Sequence, residues 1–110
     1  MLNRSVLIVR PKRPYLDWAA GLDDSGMVPD PGGEQTVYLI PSFGDQGEAR
    51  EILEEVSGVV FESELWAWHT DESAWPADRS LAAFQEWFEV ELHSLVEDLC
   101  GYEIVDEDEE

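Results

Sequence analysis

Basic side chains are scarce in this chain. Six lysines and arginines stand against 26 aspartates and glutamates, a net charge of −20. The shortage is uneven. Arg4, Arg10, Lys12 and Arg13 all fall in the first 13 residues, which hold no acid, and the remainder carries 26 acids against Arg50 and Arg79, a net of −24. Such a body repels phosphate backbones and argues against a nucleic-acid partner. Cysteine is nearly absent as well. A lone Cys100 can close no internal disulfide and has no cysteine partner for a zinc knuckle. No apolar run approaches the ~20 residues of a membrane span. The opening MLNRSVLIVRPKRP offers only VLIV as a hydrophobic stretch, too short for the core of a secretion signal. These absences together lead to the expectation of a cytoplasmic protein without a membrane contact.

Catalytic signatures are missing too. DPGG precedes a strand rather than a helix, so it is no phosphate loop. There is no Gly-x-Ser-x-Gly elbow and no HExxH or ExxH pattern. The aspartates of residues 23–30 lack the alternating oxygen ligands of a calcium loop. Cys100, near the end of an apolar helical pattern and ringed by acids, reads as a core residue rather than a nucleophile. No cofactor is expected.

What remains is enough for one core: 110 residues, 44 % of them hydrophobic. SVLIVR (5–10) and TVYLIP (36–41) are short runs closed by prolines and predict two strands, with YEIV (102–105) as a candidate third. Residues 14–22 predict a short helix with Pro14 in its first turn. Residues 23–35 are turn formers and read as one long loop. A helix over 44–58 places Ala49, Ile52, Leu53 and Val56 on one face, with Ser57-Gly58 as a place to stop or kink. Residues 59–69 alternate like a strand but fit helical spacing better, with Phe61, Leu65 and Trp68 on a second face. The clearest pattern is a helix over 81–99, capped by Ser80, with Leu81, Phe84, Phe88, Leu92, Leu95, Val96 and Leu99 as its stripe. The expected architecture is α+β: a small two- or three-stranded sheet packed against three to four helices, a single domain over 1–105, and an acidic disordered tail at 106–110.

WAWHTDESAWPADRS (66–80) then reads as a corner between helices. Trp75 plugs the open end of the core, and Arg79 forks onto Asp71, Glu72 or Asp78. The same residues allow a functional reading. His69, Asp71 and Glu72 are acid–base groups in one loop. On the 81–99 helix, Glu89, His93 and Glu97 share a stripe at the spacing by which helices offer metal ligands. If His69 approaches His93, a two-histidine, two-carboxylate site forms. Binding candidates are Trp75, Arg79 and Trp87, together with Arg10, Lys12 and Arg13, whose charges suit an anion or the acidic face of a second copy. Ala83, Trp87, Val90 and Ser94 form a smaller apolar stripe. It must be covered either by the Phe61, Leu65, Trp68 face or by a second molecule, as a homodimer.

Four blocks, NRSVLIVRPKRPYLDW, VYLIP, DESAWPADRS and WFEVELHSLVEDL, resemble in that order a family of small conserved bacterial proteins of about this length. The resemblance covers Asn3 to about Asp106. It implies no catalytic residues, because no activity attaches to that family. The acidity itself has three readings: solubility, as in a salt-rich cytoplasm; attraction of a basic partner; or mimicry of DNA. The leading expectation is a non-enzymatic binding or protein-interaction module. The alternative is a metal-dependent, hydrolase-like enzyme using His69, Asp71 and His93.

Overall fold

A computed structural model describes residues 2–30 and 35–107. The chain runs as strand β1 (Arg4–Pro11), helix α1 (Arg13–Ala20), strand β2 (Val37–Pro41), helix α2 (Gln46–Trp68), a 3-10 turn (Glu72–Ala74), helix α3 (Leu81–Trp87) and strand β3 (Phe88–His93). The three strands form one antiparallel sheet in the order β2-β1-β3, and the helices pack on it, so the α+β expectation holds. Among the described residues no helix is long and apolar enough to cross a membrane. Residues 31–34 of the expected loop and 108–110 of the expected tail lie outside the described residues.

Period-2 side-chain alternation sorts the sheet into two faces. Ser5, Leu7 and Val9 of β1 are buried against the helices, alongside Ile40 of β2 and Phe88 of β3. Pairing of Val6 with Leu39, Ile8 with Val37, and Arg10 with Glu89 puts the alternate residues on the other face. Val37 and Leu39 are exposed there, beside Arg4 and Arg10.

Helix α2 is one continuous element, not two. Asp45 caps it, its carboxylate accepting from the Glu48 backbone N–H at 2.8 Å, and Glu48 reaches back to the Gly44 N–H at 2.9 Å. The expected break at Ser57-Gly58 does not occur. Ser57 is buried, and its hydroxyl donates to the Glu54 carbonyl one turn earlier, at 3.5 Å. Ala49, Ile52, Leu53, Ser57, Val60, Phe61 and Leu65 therefore form one buried stripe along 23 residues.

The 81–99 helix is the largest departure. Ser80 caps α3 as expected, accepting from the Ala83 N–H at 3.3 Å. After Trp87 the chain turns into β3 and pairs with β1 from Val6–His93 to Pro11–Phe88. Residues 88–93, FEVELH, satisfy a helical stripe and a strand alternation equally well. The free edge of β1 decides between them, because a helix here would leave a row of backbone donors and acceptors unpaired. The third strand is thus Phe88–His93, and YEIV at 102–105 is not in the sheet. Beyond β3, Leu2 N–H donates to the Val96 carbonyl at 2.7 Å, and from there the chain leaves the sheet as an arm. Cys100 lies on this arm, exposed rather than in the core, because the helix that would have buried it does not form.

The core joins the buried faces of the sheet, α2 and α3. At its centre is an aromatic group: Phe61 meets Phe88 edge-on with centroids 5.4 Å apart, and Phe84 and Phe88 lie 5.3 Å apart. Trp87 belongs to this group, against Phe61 at 5.4 Å, Trp18 at 6.2 Å and Tyr15 at 6.3 Å. Its cover comes from within the chain. The smaller stripe of Ala83, Trp87, Val90 and Ser94 also dissolves, since its last two members follow the helix.

Candidate functional site

The corner at 66–80 is built from repeated local hydrogen bonds. Asp71 accepts from both the backbone N–H and the hydroxyl of Ser73, at 3.0 and 2.6 Å, and this holds its carboxyl below the ordinary carboxylate range. Asp23 does the same with Ser25, at 2.9 and 2.5 Å, and is lowered for the same reason. The His69 ring lies near both carboxylates and lowers each a little further. Trp75 is half-buried against the core, and its indole N–H donates to the His69 carbonyl at 2.8 Å. Arg79 does not fork onto Asp71, Glu72 or Asp78. It donates to the Pro76 carbonyl at 2.6 Å and pairs with Glu62 of α2 at 3.6 Å. Glu72 opens the 3-10 turn and is exposed.

The proposed metal ligands do not converge. Glu89 and His93 sit on the outer face of β3, where four residues of strand separate them by about 13 Å rather than one helical turn. His93 instead meets Glu91 at 2.7 Å. Glu97 is on the arm, and His69 ends α2. Among the described residues no group of three or more His, Cys, Asp or Glu side chains is placed to hold a metal ion. The basic residues are likewise dispersed. Arg10 pairs with Glu91 at 3.5 Å, Lys12 donates to the Gln85 carbonyl at 3.1 Å, and Arg13 pairs with Asp17 at 3.0 Å.

The structure assembles a different group, which the sequence reading missed. Glu64 lies on the inner side of α2, one turn before Trp68 and one after Val60. The Tyr38 hydroxyl of β2 donates to its carboxylate at 2.6 Å, and Thr36 adds a second hydrogen bond. The Ser63 hydroxyl lies 3.2 Å from the same tyrosine oxygen. Tyr15, from α1, donates to the Glu64 main-chain carbonyl at 2.6 Å. Burial pushes the Glu64 carboxyl above its ordinary value of 4.5, against the pull of the two hydroxyls. It pushes Tyr15 and Tyr38 up as well, helped by the nearby Glu64 charge. Glu64 borders a cleft of about 150 Å3 with Val9, Pro11, Tyr15, Thr36 and Trp68. Trp68 also borders a second cleft of similar size, shared with His69, Asp23, Ser25 and Met27.

One signal in the sequence pointed here. A carboxylate between Phe61 and Trp68, at the spacing of Val60 and Trp68, interrupts an otherwise apolar helix face. Its partners were not legible, because Tyr38 and Thr36 arrive from β2 and its approach, more than 25 residues earlier. Compared with protein-family models, with curated proteins and with solved structures, the chain matches none.

Proposed function

We propose that this chain is a small, acidic, cytoplasmic, non-enzymatic protein-interaction module that works through its C-terminal arm, with a second copy of itself as the partner. The observation that carries this is the arm. Leu95, Leu99, Tyr102, Ile104 and Val105 are between 61 % and 96 % exposed, all within eleven residues. Scattered apolar side chains on a surface need no explanation, but a contiguous set on an extended segment marks a contact surface.

Charge complementarity favours a second copy. The arm also carries Glu97, Asp98, Glu103, Asp106 and Glu107. The outer sheet face offers exposed Val37 and Leu39 together with Arg4 on its β2 side, while on its β3 side Arg10 is paired with Glu91. Among the described residues Arg4 donates to its neighbour Asn3, and no carboxylate pairs with it. The acidic apolar arm fits the β2 side of this face, where Val37 and Leu39 lie beside Arg4, and a reciprocal exchange gives a two-fold dimer. The remaining net charge opposes nucleic acid as a partner. The resemblance to small bacterial proteins belongs to the same proposal. The metal-dependent alternative gains nothing from the placement of His69, Asp71 and His93.

Sedimentation of the full chain and of a chain ending at Val96 tests the reading. A full-length dimer and a folded monomeric truncation support it. A full-length monomer at millimolar concentration, or a truncation that still dimerises, overturns it.

A further inference from the structure

We propose that the Glu64 cleft is a binding site for a small organic cation, an alkylammonium group of a few heavy atoms. Glu64 is a partly buried carboxylate, yet among the described residues no basic side chain pairs with it. All six bases have other neighbours: Arg4 at Asn3, Arg10 at Glu91, Lys12 at the Gln85 carbonyl, Arg13 at Asp17, Arg50 at Glu54 and Arg79 at Glu62. Tyr38 and Thr36 orient the carboxylate with hydroxyl hydrogen bonds but bring no positive charge.

The walls select the kind of cation. Val9, Pro11 and Trp68 present apolar and aromatic surface beside the carboxylate. An ammonium group with a short alkyl chain satisfies both, and an indole adds attraction for a cation placed on its face. A hard metal ion asks for six or more oxygen ligands or for near-octahedral geometry, and the cleft wall carries two carboxylates, Glu64 and Asp30, with no group of three or more metal-ligating side chains among the described residues. At about 150 Å3 the space is well below that of a drug-sized site, which restricts the ligand to a few atoms. The net charge of −20 concentrates cations around the protein and speeds their arrival. Because the cation binds the ionised carboxylate, protonation of Glu64, which burial makes easier, competes with it, and affinity rises with pH through the titration of Glu64, with Asp30 as the other carboxylate on the cleft wall.

The test is a nuclear magnetic resonance titration with n-propylammonium, with uncharged n-propanol as its isostere. Saturable shifts at the Trp68 indole and the Thr36 amide are expected with n-propylammonium and not with n-propanol. Glu64→Gln should weaken binding at least tenfold, and Glu89→Gln, which removes an exposed acid elsewhere, should leave it unchanged. In the wild type, affinity should fall as the solution is acidified, a reading that does not depend on the variant folding. Equal shifts from n-propanol, equal losses in both variants, or an affinity indifferent to pH would each overturn the proposal.

Discussion

The Tyr38 hydroxyl donates to the Glu64 carboxylate across 2.6 Å, joining the edge strand β2 to helix α2. This contact ties a titrating group to the packing of sheet on helix, and its pH dependence has a definite sign. Glu64 has a folded pKa above its unfolded value, so the folded state binds the proton more tightly. The stability this adds is fully present below the unfolded pKa and is lost as pH rises through the folded one. Asp23, Asp71, Asp78 and Glu91 behave oppositely. Hydrogen bonds to their charged forms lower their pKa values, so their contribution is present above the unfolded values and lost as pH falls.

Glu64→Gln removes one titration and keeps an acceptor for Tyr38. Urea denaturation of variant and wild type between about pH 4 and pH 7 should show the difference in unfolding free energy moving in the variant's favour as pH rises. A difference that stays constant over that range contradicts the placement of Glu64.

Trp87→Glu separates internal packing from an interface. Here Trp87 faces Phe61, Trp18 and Tyr15. The variant loses a half-buried packed aromatic, worth about 2–3 kcal/mol, and adds the cost of a carboxylate placed among rings. Cooperative unfolding should be lost or displaced far down in urea. A folded variant with a near-wild-type midpoint would return Trp87 to the surface.

Two tryptophans of the corner should respond differently. Trp75 is half-buried against the core and bonds the His69 carbonyl, so Trp75→Ala should cost about 2–3 kcal/mol, less than for a fully buried ring. Trp66 is exposed, and Trp66→Ala should stay within about 0.5 kcal/mol of wild type. Equal midpoints for the two variants in thermal or urea melts would refute the assignment.

Much of the architecture was legible from local rules. Prolines bound the first two strands, Ser80 caps a helix, and the Ala49, Ile52, Leu53 stripe marks a buried helix face. The largest misreading has one cause. FEVELH fits two periods, and the partner that selects the strand lies some 80 residues earlier, on β1. Losing the 81–99 helix then moved Cys100, Leu95 and Leu99 from an expected core to an exposed arm. It also separated Glu89 from His93 and emptied the proposed metal stripe. Ser57-Gly58 failed as a break because a serine hydroxyl can bond its own helix and stay buried. The Glu64 cleft escaped notice because its side chains come from α1, β2 and α2, and only their tertiary meeting creates it.

Cys100 offers a direct probe of arm exchange between two copies, since it is exposed and is the chain's one cysteine. A nitroxide attached to Cys100 of unlabelled protein is mixed with nitrogen-15-labelled Cys100→Ser protein, so that any broadening reports contact between molecules. Arm exchange should cause loss of intensity at the amides of Val6, Ile8, Val37 and Leu39, reversed when the nitroxide is reduced. Uniformly sharp signals for these four residues at millimolar concentration would contradict it.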